Sequence, residues 1–147
     1  MKTREIVHPM FGIKATIIER ESWLPATPSG WTWIEQPTQD GAWYRHRCSS
    51  GYLLMVGLSA AIEQDGVPWL HLSLSKRSPN GKLRAGLLPS WEEVKYAKDS
   101  FIGRDKEAIQ VLPPESSYVN IFDVLHLWHR LDGTRAVPDF SWGTGSI

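Results

Sequence analysis

The sequence predicts an α+β fold: a mostly antiparallel, twisted sheet of about five to seven strands, with one main α-helix at about residues 90–102 packed on one face. Three observations predict it. Short segments rich in β-branched and aromatic residues recur between turn formers, as strands do. Leu70, Leu72 and Leu74 repeat with the period of two that lines one face of a strand. One stretch alone, residues 90–103, carries both the start and stop signals of a helix.

Taken in order, residues 13–19 alternate loosely, with Ile13, Ala15 and Ile17 on one face, and predict a first strand. Residues 22–30 hold two prolines and a Ser-Gly pair and predict a loop. Residues 31–35 and 43–47 read as the strands of a hairpin, separated by turn formers at 37–41, with a corner at Cys48-Ser49-Ser50-Gly51. A second hairpin spans 52–76. Asp65-Gly66 suits a two-residue type I′ turn, which puts Ile62 opposite Trp69, Ala60 opposite His71 and Leu58 opposite Ser73. Pro68 lacks a ladder donor and argues for an edge or a bulge there.

A polar connection at 77–88, turning at Pro79-Asn80-Gly81, leads to the helix. Ser90 and Glu93 have the spacing of a capping box, and Glu92 adds favourable charge to the first turn. Trp91, Val94, Ala97 and Phe101 form the apolar stripe that should dock on the sheet, with Lys98 at its margin and Gly103 as the C-cap. Residues 108–112 form a short strand stopped by Pro113-Pro114. In the last strand, 125–130, Leu125 and Leu127, continued by Leu131, point one way, and His126, Trp128 and Arg130 the other. Residues 141–147 read as a frayed end. The reading is one domain, 1–147, with a β-rich part at 1–50, a core at 52–140 and no internal repeat.

Composition bounds function more than it defines it. Sixteen basic residues balance sixteen acidic ones, so no global field draws nucleic acid or an anionic membrane. The single cysteine, Cys48, excludes an internal disulfide framework and a cysteine-rich zinc site, and suits the cytoplasm. No run approaches the roughly 20 apolar residues of a spanning helix. Eight tryptophans are several times ordinary usage, which means either a core filled with large rings or an aromatic docking surface.

The main candidate site is the sheet face opposite the helix, where Trp69, His71, His126, Trp128 and Arg130 would meet if their strands are neighbours. Flat rings, imidazoles and a guanidinium suit a nucleobase, a phosphate or a protein hot spot. The competing expectation is that the N-terminal hairpin, with Trp31, Trp33 and Trp43, covers this face. Arg45, Arg47, Lys76 and Arg77, with Lys82 and Arg84, form the one basic concentration, which reads as a solvated rim or as a seat for an anionic ligand. Cys48 beside His46 and two arginines could have a depressed pKa, but no oxyanion hole accompanies it. The histidines lack metal-ligand spacing, no phosphate-binding glycine loop or nucleophile elbow is present, and no cofactor is implied.

Several blocks in order carry a resemblance: Trp69-Leu70-His71-Leu72-Ser73-Leu74-Ser75, Pro89-Ser90-Trp91-Glu92-Glu93-Val94-Lys95 and Phe101-Ile102-Gly103. Ala108-Ile109-Gln110-Val111-Leu112-Pro113-Pro114, Tyr118-Val119-Asn120 and Leu125-His126-Leu127-Trp128 continue it. Over roughly residues 67–140 they resemble an uncharacterised domain family of small bacteriophage and prophage proteins. Where relatives carry a His-Pro-like pair, this chain has Phe122-Asp123. The resemblance implies an accessory protein in the cytoplasm of a bacterial host, of a kind that binds host components including defence systems, and it implies no catalytic residues. The expectation is a non-enzymatic binding protein whose partner is a host protein or a small anionic, nucleotide-like ligand, with no membrane, and with homo-oligomerisation left open. The alternatives are a small hydrolase acting on a phosphorylated or nucleotide substrate through His71, His126 and Arg130, and a virion or assembly component.

Overall fold

The structure is a computed structural model that describes residues 2–7, 14–35, 41–62, 66–84, 86–111, 124–131 and 144–146. Among the described residues nine strands form one sheet: β1 (Thr3–Val7), β2 (Lys14–Ile18), β3 (Thr32–Ile34), β4 (Gly41–Arg47), β5 (Leu53–Ile62), β6 (Pro68–Arg77), β7 (Ile109–Val111), β8 (Leu125–Arg130) and β9 (Thr144–Ser146). Seven follow one path, β1-β2-β5-β6-β8-β7-β9, and every pairing is antiparallel. With one α-helix among the described residues, α1 (Trp91–Phe101), this is the α+β architecture the sequence predicts. β1 has no counterpart in the sequence reading, and residues 144–146, expected as part of a frayed end, pair with β7.

The long central hairpin β5–β6 departs from expectation by one residue. Ile62 faces Pro68, Ala60 faces Leu70, Leu58 faces Leu72 and Val56 faces Leu74. A slip of one residue moves every side chain to the other face. The expected register would have set Leu58 beside Ser73; the observed one lines aliphatic residue against aliphatic residue, and burial of that row outweighs the turn preference of Asp65-Gly66. Pro68 lies in an inner strand, flanked by β5 and β8, at its first residue, where the missing donor does least harm.

The outer edge of β5 is divided. Its C-terminal end pairs with β2 and the rest with β4, so the β3–β4 hairpin widens the sheet instead of lying across it. The main core lies on the helix side: Val56, Leu58, Leu70, Leu72, Leu74 and Leu127 from the sheet meet Val94, Ala97 and Phe101 of α1. α1 begins as predicted. Ser90 Oγ accepts from the Glu93 N–H and the Glu93 carboxylate accepts from the Ser90 N–H. Its end differs slightly: Ile102 is the C-cap, and Gly103, at φ 129°, follows it. Trp91 is also misplaced by the stripe argument. It is 60% exposed at the first turn, and Trp31 takes its place in the core by stacking on Tyr96 and meeting Phe101 edge-on.

Candidate functional site

Antiparallel register brings the predicted face together. Trp69 stands opposite Arg130, His71 opposite Trp128 and Ser73 opposite His126 on β6 and β8. His71 and His126 sit diagonally, their rings nearly parallel with centroids 5.0 Å apart, and His71 also packs against Trp128 at 4.5 Å. His71 Nε2 and His126 Nδ1 share a hydrogen bond of 2.8 Å. One of those nitrogens must carry the proton and the other must accept it, so the two rings cannot both be imidazolium while this bond stands. Across the same face, Gly57 leaves a notch: a Cβ there would lie 2.9 Å from the Trp43 ring and 2.7 Å from Ser73 Oγ.

Of the two readings left open for this face, exposed or covered, the burial of Trp69, His71, His126 and Trp128 fits the covered one. Trp69 and Trp128 are 1% exposed, His126 2% and His71 8%. Large rings that stack on each other remove their own area from water, and an apolar sheet face is stable only when covered. The N-terminal hairpin extends the sheet and is not the cover. Trp31 lies on the helix side, Trp33 is largely exposed, and only Trp43 reaches this face. Trp69 Nε1 is buried without a hydrogen-bond partner among the described residues.

The basic residues divide by face. Lys76 points to the helix side, where its ammonium meets the Glu93 carboxylate at 2.9 Å and lies over the Tyr52 ring, so it does not join the arginines as expected. Glu93 also accepts from Cys48 Sγ at 3.3 Å. Burial and this carboxylate push the Cys48 thiol up, the reverse of the depressed pKa expected for it. Burial alone would raise Glu93; hydrogen bonds from the Ser90 N–H, Lys76 and Cys48 outweigh it and leave the carboxyl below its ordinary 4.5. Arg130, opposite Trp69, lies at the other end of β6 from Arg77.

Arg45, Arg47 and Arg77 remain together on the face away from the helix. Arg47 stands opposite Leu53, which stands opposite Arg77, and Arg45 lies one row in, opposite Met55. Two strand spacings put Arg47 and Arg77 about 10 Å apart along that row. Arg45 and Arg47 are exposed, whereas Arg77 is half-buried and desolvation pulls its guanidinium below the ordinary value. Among the described residues none of the three has a carboxylate partner, and Arg77 Nε is buried with no hydrogen-bond acceptor.

The turns that follow these arginines repeat each other, which the sequence reading missed. In Arg47-Cys48-Ser49-Ser50-Gly51-Tyr52 the Cys48 N–H donates to the Tyr52 carbonyl at 2.8 Å and the Gly51 N–H to the Cys48 carbonyl at 2.9 Å. In Arg77-Ser78-Pro79-Asn80-Gly81-Lys82 the Ser78 N–H donates to the Lys82 carbonyl at 3.1 Å and the Gly81 N–H to the Ser78 carbonyl at 2.8 Å. Both glycines have left-handed φ, 91° and 83°, which favours glycine over any residue with a Cβ. In both turns the arginine Nη1 reaches forward 3.4 Å to the glycine carbonyl four residues on. The shared spacing Arg-x-x-x-Gly, thirty residues apart, was the available signal.

No group of three or more His, Cys, Asp or Glu residues among those described could hold a metal ion. No described helix is long and apolar enough to cross a membrane. No curated protein and no solved structure matches the chain. Residues 61–132, which run from the end of β5 through β8, match a family described as a domain of unknown function (DUF7694).

Proposed function

We propose that this is a non-enzymatic binding protein that engages an anionic partner through the arginine end of its sheet. One observation carries the reading: Arg45, Arg47 and Arg77 share one face and one end without a carboxylate among the described residues, while nearby Lys76 is already neutralised. Nature rarely leaves a desolvated guanidinium unpaired, and an external anion supplies what the fold does not. Phage or prophage origin, action in the host cytoplasm and a counter-defence role against a host protein or nucleotide-like ligand rest on the resemblance of the blocks at 67–140.

Salt-dependent binding of polyglutamate, read by fluorescence anisotropy, tests it. Binding should weaken steeply with salt and vanish in Arg45→Gln/Arg47→Gln/Arg77→Gln, with the thermal melt retained. Equal binding by that variant rejects the reading. The hydrolase alternative draws on the 2.8 Å imidazole pair. Turnover of p-nitrophenyl phosphate that disappears in His71→Gln would establish it in place of binding.

A further inference from the structure

We infer that the two arginine turns form a paired clamp for a phosphoryl group, with Arg47 and Arg77 closing on its oxygens from either side of Leu53. The inference rests on the anion-binding reading above and narrows the partner to a phosphate-bearing small molecule.

Three features favour a clamp over scattered surface charge. First, the arginines are aimed by the backbone. The same two turn hydrogen bonds, the same left-handed glycine and the same Nη1-to-carbonyl contact recur in both turns. A solvated rim has no reason to build one geometry twice. Secondly, each guanidinium carries five donors and the turn takes one, so most of each fork remains for a ligand. Arg77 Nε is buried, so the donors that Arg77 would offer a ligand are those of its Nη atoms. Thirdly, the spacing suits the ligand. A planar carboxylate is satisfied by one guanidinium fork, whereas a phosphate monoester has three terminal oxygens and close to two charges to be met from more than one side. Two long side chains rooted about 10 Å apart flank the buried Leu53 on one face, a span that a phosphoryl group between their forks would bridge. Arg45, exposed one row away, adds a third positive charge without a fixed turn of its own.

Calorimetric titration of the full chain with inorganic phosphate, glucose 6-phosphate, adenosine 5′-monophosphate and adenosine tests the clamp. The three phosphates should bind saturably and adenosine should not. Comparison of the first three distinguishes free phosphate from a sugar or nucleotide ester. Arg47→Lys and Arg77→Lys keep the charge but lose the fork, and each should weaken phosphate binding about tenfold. Gly51→Ala, which disturbs the aim and not the charge, should also weaken it, while Arg104→Gln, an exposed charge beyond the end of α1, leaves it unchanged. Thermal melts confirm folding, and Arg47→Lys, at an exposed position, provides the result if an alanine variant does not fold. Absence of phosphate binding, or equal loss in Arg104→Gln and Arg47→Lys, overturns the clamp. Should polyglutamate still bind in an arginine-dependent way, only the clamp falls; loss of both rejects the broader reading too.

Discussion

On the helix side of β5, β6 and β8 the buried rows are aliphatic, with Leu58, Leu72 and Leu127 in one line across three strands. On the other side the same strands bury Trp69, His71, His126 and Trp128, with ring nitrogens among the carbons. Aliphatic burial is non-directional and scales with area. Imidazole burial is directional, because each nitrogen taken from water needs a partner at the right angle. One face therefore supplies stability and tolerates reshaping; the other supplies constraint.

The contrast can be broken most forcefully at Leu72. Leu72→Ala, at a site with no exposure, should cost about 2–5 kcal/mol in urea unfolding. A loss below 1 kcal/mol would mean that the helix side is not the main core. On the opposite face, His71→Phe leaves the His126 nitrogen facing a carbon and should cost about 1–3 kcal/mol. Adding His126→Phe should cost less than the sum of the singles, and an additive cycle would show that the imidazole pair is not coupled. Gly57→Ala should cost about 1–3 kcal/mol through the Trp43 and Ser73 clash, and Trp43→Phe in the same chain should recover part of it.

Smaller effects sharpen the comparison at the helix start. Glu93 has its folded pKa below the ordinary 4.5, so its contribution is present above that value and is lost as pH falls below 4.5 through the folded pKa. Melts of the wild type and Glu93→Gln should differ by about 1 kcal/mol at pH 7 and converge in acid. Trp91→Ala should change stability by no more than about 0.5 kcal/mol, despite the size of the ring, because that ring is mostly in water.

What could be read from residues alone follows the same division. Ser90 and Glu93 specify their helix locally, and Leu70, Leu72 and Leu74 specify their face by period, so both are legible without knowing any neighbour. Hairpin register is not local. Asp65-Gly66 favours one pairing, and the facing aliphatic rows, Ala60 with Leu70, Leu58 with Leu72 and Val56 with Leu74, choose another. That His71, His126 and Trp128 share a face was legible from alternation once their strands were paired. Their burial was not, since it depends on whatever packs against the face. The two arginine turns lay in plain view as a spacing, but a five-residue pattern gains meaning only when strand pairing sets both copies at one end.

The divided edge of β5 has a last consequence. The segment that matches the family begins at residue 61, yet β5 pairs with β6 from Leu53 onward, position by position. A cut at that point would leave only Ala61 and Ile62 of β5 and strip β6 of a companion along most of its length. An excised 61–132 fragment would expose raw amides and carbonyls as a template for other chains. Its self-association on sedimentation would show that the unit which folds is larger than the unit which is shared.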